Sequence, residues 1–218
     1  MAKQILCYGD YNTLGYIAKV GGRYSEDIRW PCVARRLLGE GFRVWENGLN
    51  GRTSIFDDPT FPCRNGRAGL DYALLTSKPL DLVVLALGTN DLKFTDVKGS
   101  RRGVEYLIQE ILSANARLHT DEPIFPNGPH ILLLSPIRIH TQVETINPDT
   151  HFGGSIPAAS ADFAQQFQLA VEKFPEISFL DSSVYASPSE EDGVHMDAAS
   201  HQRLGAAVAE KIFDILGR

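Results

Sequence analysis

Four short clusters in this 218-residue chain combine glycine with side chains that can hold, pass or neutralise a charge. They are Gly9-Asp10-Tyr11-Asn12-Thr13, Asn47-Gly48-Leu49-Asn50-Gly51-Arg52-Thr53, Gly88-Thr89-Asn90-Asp91 and Asp192-Gly193-Val194-His195. Carboxylates, an imidazole, carboxamides and hydroxyls are the groups from which acid–base and nucleophilic chemistry is assembled. Singly, each cluster is also ordinary turn chemistry: Gly-Asp, Asn-Gly and Asp-Gly favour tight turns, and Asn90 or Asp91 suits a helix cap. The remaining histidines, His119, His130, His140, His151 and His201, lack the paired spacing of a metal site and read as solvated or locally hydrogen-bonded. No metal or other cofactor is therefore expected. No GxxxxGKS or GxGxxG loop is present to hold a nucleotide phosphate.

Each cluster follows, at once or after a long turn, an apolar run with the look of a buried strand. The runs are Ile5–Tyr8, Phe42–Trp45, Leu82–Leu87, Ile131–Leu134 and Ile177–Leu180. Near-continuous apolarity suits parallel strands covered on both faces. Between them lie helical patterns, the clearest placing Val104, Leu107, Ile108, Ile111 and Leu112 on one face. Residues 30–38, with Pro31 in the first turn and Gly39 beyond the end, and 66–77, capped by Asn65, predict two more. The last begins at the N-cap Asp197 and carries Leu204, Val208, Ile212, Ile215 and Leu216 as its stripe. Alternation of strand and helix predicts an α/β fold, a three-layer sandwich with a five-stranded parallel sheet, residues 1–218 forming one domain. Ligands of such sheets sit beyond the carboxyl ends of the strands, where the clusters fall.

In this order and at these strand ends, the clusters resemble the four blocks of the SGNH hydrolases, also called the GDSL family of esterases and lipases. The resemblance covers essentially the whole chain and is closest to the bacterial arylesterase and acyltransferase subgroup. It is carried further by Lys3 to Thr13, Arg29-Trp30, Asn47 to Ser54 with Asp57-Asp58, Cys63-Arg64-Asn65-Gly66, and Pro79 to Val83 leading into Leu87 to Asp91. It implies a flavodoxin-like strand order 2-1-3-4-5 and hydrolysis of short-chain acyl or aryl esters, with acyl transfer to alcohols as an added capacity. His195 is then the base and Asp192 the carboxylate that orients it, within ~2.6 to 3.2 Å of the imidazole. The oxyanion donors are the Asn90 side-chain amide and the backbone N–H groups of Gly51 and Tyr11, while Asp10 shapes the nucleophile turn.

The family places serine after Gly-Asp, and this chain has Tyr11. A phenol has a pKa of ~10 and is a possible nucleophile if His195 takes its proton. Its oxygen lies roughly 4 Å farther from the backbone than a serine oxygen, where a misplacement of about 1 Å can cost ~10²-fold in rate. The ring is also expected to fill the space of a small acyl group. Thr13, Thr53, Ser54 and Thr89 lie in or beside the blocks, but their turns should aim them elsewhere. The open readings are an engineered or selected replacement in an esterase, a catalytically impaired pseudoenzyme that binds a ligand or partner, and a changed mechanism in which His195 activates water or Tyr11 takes the acyl group. A carbohydrate deacetylase of the same fold is the rival enzyme.

Composition narrows the partners. With 27 acidic against 21 basic residues the net charge is −6, which gives no general attraction to nucleic acid. Hydrophobic residues form 43% of the chain without any run approaching the ~20 residues that span a bilayer. The N-terminal apolar stretch is too short for a signal peptide, and Cys7, Cys32 and Cys63 read as reduced thiols, so the expected setting is cytoplasmic. A small-molecule ester is the expected partner. Residues 136–157 form an unusually long loop bearing Phe152 and Ile156, apolar groups that a solvated loop would expose. That loop is expected to cover the cleft or contact a neighbour in a homo-oligomer.

Overall fold

The computed structural model describes residues 2–218. The apolar runs form β1 (Lys3–Gly9), β2 (Phe42–Gly48), β3 (Leu82–Ala86), β4 (His130–Leu134) and β5 (Ser178–Leu180). All neighbours pair in parallel, in the order β2-β1-β3-β4-β5. Side chains alternate across a strand, so each run feeds two cores. Leu6, Tyr8, Val83, Leu85, Ile131 and Leu133 enter one, and Ile5, Cys7, Leu82, Val84, Leu132 and Leu134 the other. Both faces are therefore apolar, which is why the runs show no polar alternation.

The helices are α1 (Tyr11–Leu14), α2 (Trp30–Leu38), α3 (Gly66–Ser77), α4 (Val97–Leu112), α5 (Ala114–Arg117), α6 (Val143–Ile146), α7 (Ile156–Ala159), α8 (Phe163–Lys173) and α9 (Ala198–Leu216). Residues of α3, α4 and α8 share the first core; those of α2 and α9 share the second. The caps read from sequence hold: the Asn65 side chain accepts from Arg67 N–H at 3.0 Å, and Asp197 from Ser200 N–H at 2.6 Å. None of the described helices is long and apolar enough to cross a membrane.

Helices α5 and α8 were not expected, and two other regions depart from expectation. Helix α4 begins well before the Val104 stripe, at Val97, where Asp96 caps it through Gly99 N–H at 2.7 Å. Its first turns carry glycines because a Cβ at Gly103 would collide with Ser54 Oγ, so the helix lies close on the loop after β2. The segment 136–157 is not a bare loop, since it holds α6 and enters α7. Phe152 is buried in the first core and Ile156 packs half-buried against it, so neither offers an exposed apolar surface. Burial within its own chain explains these residues.

Candidate active site

Strand register sets the frame of the site. Gly9 pairs with Gly48 on one side and with Ala86 on the other, so β1, β2 and β3 end level and their following turns meet. After Gly9, Asp10 caps α1 by accepting from Asn12 N–H at 2.9 Å. Tyr11 is then the first residue of that helix, and its N–H, like others in a first helical turn, has no intrahelical acceptor. The phenol ring of Tyr11 is almost wholly withdrawn from solvent. It is 4% exposed, belongs to the first core with Leu87, Leu92 and Val194, and sets its ring 4.3 Å from that of His195 in an edge-on contact.

The Tyr11 hydroxyl is buried without a hydrogen-bond partner among the described residues. Burial raises its pKa well above that of a free phenol, nearby Asp10 adds to the rise, and the Thr89 side chain, close by but not in full hydrogen-bond geometry, only partly offsets it. A group so placed is a neutral phenol, the reverse of an activated nucleophile. An unpartnered buried hydroxyl is a standing penalty, so Tyr11→Phe is expected to leave stability unchanged or raise it by on the order of 1 kcal/mol in urea denaturation. A loss of more than about 1 kcal/mol would show that the hydroxyl has a partner after all.

His195 sits on the turn after β5. Both oxygens of Asp192 are engaged: Oδ1 accepts from the N–H groups of Val194 and His195, each at 3.0 Å, and Oδ2 lies 2.6 Å from His195 Nδ1. Burial pushes the Asp192 carboxyl up, but the hydrogen bond and charge of His195, with these N–H groups, hold it below the usual carboxylate range. An ionised Asp192 keeps the imidazole proton on Nδ1 and leaves Nε2 as the basic lone pair. The turn is moored to α1, because Met196 N–H donates to Asn12 Oδ1 at 3.0 Å. Tyr16 flanks the imidazole from another side, with ring centres 4.5 Å apart. His195 thus packs on Tyr11 and Tyr16, its distal nitrogen paired with no serine hydroxyl.

Three donors converge near this histidine in the sequence reading, and the structure brings their elements together. Asn90 lies in the 3₁₀ turn Thr89–Lys93 and is fully buried. Its Oδ1 accepts from Lys93 Nζ at 2.8 Å, while Nδ2 has no acceptor among the described residues. The amide is therefore turned with its N–H groups free, the arrangement an oxyanion needs. Gly51 has φ of 75°, and a Cβ there would strike the Arg64 guanidinium, so the position requires glycine on two counts. Asp91 ties the β2 and β3 turns together: it accepts from Ser54 N–H and Ser54 Oγ, both at 2.7 Å, and from Ser100 Oγ at 2.9 Å. Arg52 stitches β1 to β2 by donating to Gly9 O at 2.9 Å and Asn47 O at 2.6 Å.

No protein-family model matches the chain, and no curated protein matches it in sequence. Solved structures do. The aryl esterase of M. smegmatis is 32% identical, with 99% of this chain and 100% of that one covered and a TM-score of 0.85. A carbohydrate acetylesterase family member from Sinorhizobium meliloti is 33% identical over 99% of this chain and 100% of that one, with a TM-score of 0.87. The chain belongs to the SGNH hydrolase family. Within the SGNH fold, several residues quoted for the resemblance turn out to build rather than react. Arg29 grips Glu46 with two nitrogens, at 2.8 and 2.9 Å, and Asp58 accepts from Arg64 at 2.9 Å. Ser54 Oγ is spent on Asp91, and Thr53 Oγ1 on Phe56 O at 2.5 Å. His201, expected to be solvated or locally bonded, is fully buried in the SGNH scaffold, its Nδ1 3.4 Å from Trp30 N and its Nε2 without a partner among the described residues.

Sequence reasoning passed over Lys93 and Tyr16, and gave no role to Asn12 or to the Arg64 contact with Gly51. Lys93 had a readable signal, standing one 3₁₀ turn after Asn90. The other contacts are made across the fold and have none. The SGNH turns also confine two acids. Burial raises Asp10 and Asp91 each to about 7, against the hydrogen bonds they accept. For such groups the folded state binds more protons than the unfolded state between about pH 4 and 7, so this part of the stability is present in acid and lost as pH rises through about 7. Asp10→Asn keeps the cap and removes the titration. The stability of the parent relative to this variant is expected to fall by up to about 4 kcal/mol between pH 4 and 8, a ceiling of about 1.36 kcal/mol per pKa unit. Parallel pH profiles from urea denaturation would contradict that assignment.

Proposed function

We propose that this chain is a carboxylic ester hydrolase of SGNH type for short-chain acyl or aryl esters, with its turnover held down by the Tyr11 side chain. In this reading Asp192 orients His195, His195 Nε2 is the base, and Asn90 Nδ2 with the N–H groups of Gly51 and Tyr11 receives the oxyanion. The observation that carries it is the 2.6 Å Asp192–His195 contact set against the Tyr11 ring, beside an Asn90 amide whose donors are free. In a serine form, the hydroxyl oxygen attacks the ester carbonyl as its proton passes to Nε2. That proton then leaves with the alcohol, and water, or another alcohol in acyl transfer, releases the acyl group. With a neutral buried phenol in its place, only slow attack by water through His195 remains.

Assays with p-nitrophenyl acetate and butyrate test this reading: a slow, His195-dependent release of nitrophenolate supports it, and a rate untouched by His195→Ala contradicts it. Similarity to the S. meliloti acetylesterase favours a second reading, a carbohydrate deacetylase. Acetylated sugars cleaved in preference to aryl acetates would favour it. Assembly into a homo-oligomer rests on the resemblance alone, and a 24.0 kDa particle in light scattering would contradict it.

A further inference from the structure

Beside the oxyanion donors lies a cleft of about 380 Å³ whose lining includes Asp58, Phe61, Arg64, Lys93 and Phe94. Its charge is unbalanced. Arg64 is paired with Asp58 at 2.9 Å, but no carboxylate among the described residues lies within 4 Å of Lys93 Nζ. Burial lowers the Lys93 pKa and the Arg64 charge lowers it further, and the more distant Asp58 and Asp10 charges offset this only in part. In a chain of net charge −6, a half-buried lysine held by the Asn90 amide and the Phe152 ring, with no carboxylate beside it among the described residues, is not explained by solubility.

Each cation also touches an oxyanion donor. Lys93 Nζ donates to Asn90 Oδ1 at 2.8 Å, and the Arg64 guanidinium packs where a Gly51 side chain would go. An occupant of this cleft is therefore a neighbour of the carbonyl that those donors receive. The walls are partly aromatic: Phe61 is 48% and Phe94 40% exposed, and Arg64 lies over the Phe61 ring at 3.9 Å. Flat apolar walls with a cationic floor suit a ring or short chain ending in an anion.

We infer that the cleft is a subsite for an anionic oxyacid group, carboxylate or phosphate, on the ester, gripped by Lys93 with Arg64 behind it. This deepens the esterase reading by naming the substrate class. Binding can be read without turnover, so failure of one does not carry the other with it. The probes are 4-hydroxybenzoate, its methyl ester and phenyl phosphate, titrated by calorimetry into the unaltered chain and into Lys93→Gln. In the Tyr11→Ser variant, hydrolysis of 4-acetoxybenzoate is compared with that of its methyl ester.

The expected result is that 4-hydroxybenzoate binds at least about tenfold tighter than its methyl ester, a preference equivalent to about 1.4 kcal/mol. Lys93→Gln should abolish most of that preference, and added salt should shrink it. Phenyl phosphate binding more tightly than 4-hydroxybenzoate identifies phosphate as the favoured anion, and the reverse identifies carboxylate. Because Lys93 also holds the Asn90 amide, Lys93→Gln is expected to slow both esters. The ratio between anionic and neutral ester is the readout that a purely structural lysine would not move. Equal binding of acid and methyl ester by a folded protein, or an unchanged ratio in Lys93→Gln, would overturn the subsite.

Discussion

Replacing Tyr11 with serine raises p-nitrophenyl acetate hydrolysis by on the order of 10³-fold or more, the scale on which a missing nucleophile depresses an otherwise complete site. The rest of the proposed machinery does not have to be rebuilt. Asp192 already holds His195, the Asn90 amide is already turned, and the residue-11 N–H is a backbone group that serine also supplies. Serine puts a short oxygen where the phenol ring now meets the imidazole, and the vacated volume becomes room for an acyl group. The substitution also removes a buried ring, and such truncations cost about 3–5 kcal/mol when the cavity stays empty. Loss of the unpartnered hydroxyl offsets part of this, so the variant is expected to fold with a lowered melting temperature. A folded serine variant no faster than its parent would show that another feature limits turnover.

In the Tyr11→Ser background, His195→Ala is expected to lower the rate by about 10³- to 10⁴-fold, because serine without its base is a poor nucleophile. In the parent the same change is expected to lower the slow release by a smaller factor, since His195 there has only water to deprotonate. The two substitutions are thus strongly coupled, and a double-mutant cycle measures the coupling directly. Rates that simply multiply would mean that His195 and position 11 do not act as a unit. The Asp192–His195 contact of 2.6 Å and the edge-on Tyr11–His195 contact are the reasons to expect coupling.

Much of the scaffold was legible because burial on both sheet faces leaves uninterrupted apolar runs. Helices α2 and α3 begin and end where Pro31, Gly39 and Asn65 predicted. The early turns of α4 were hidden because Gly99 and Gly103, chosen for close approach to neighbouring side chains, weaken the helical signal. Helix α8 was readable in principle, as Phe163, Phe167 and Ala170 share one buried face, but no helix was read between the expected loop and the fifth strand. The burial of Phe152 was not readable, since apolar residues in an irregular segment carry no period that says which way they point. In the site, block order and residue type pointed to His195 and Asp192. The free Asn90 donors, the Lys93 contact and the unpartnered Tyr11 hydroxyl are tertiary facts that spacing does not encode.

The central claim is that an SGNH site stands ready around a residue 11 that cannot attack. Intact-mass analysis after exposure to an aryl fluorophosphonate, with peptide mapping of any adduct, tests it most directly. The account predicts one adduct on the Tyr11→Ser chain, located at Ser in position 11 and lost with His195→Ala, and none on the parent. A stoichiometric adduct on Tyr11 itself, formed by the parent as fast as by the serine variant, would contradict it.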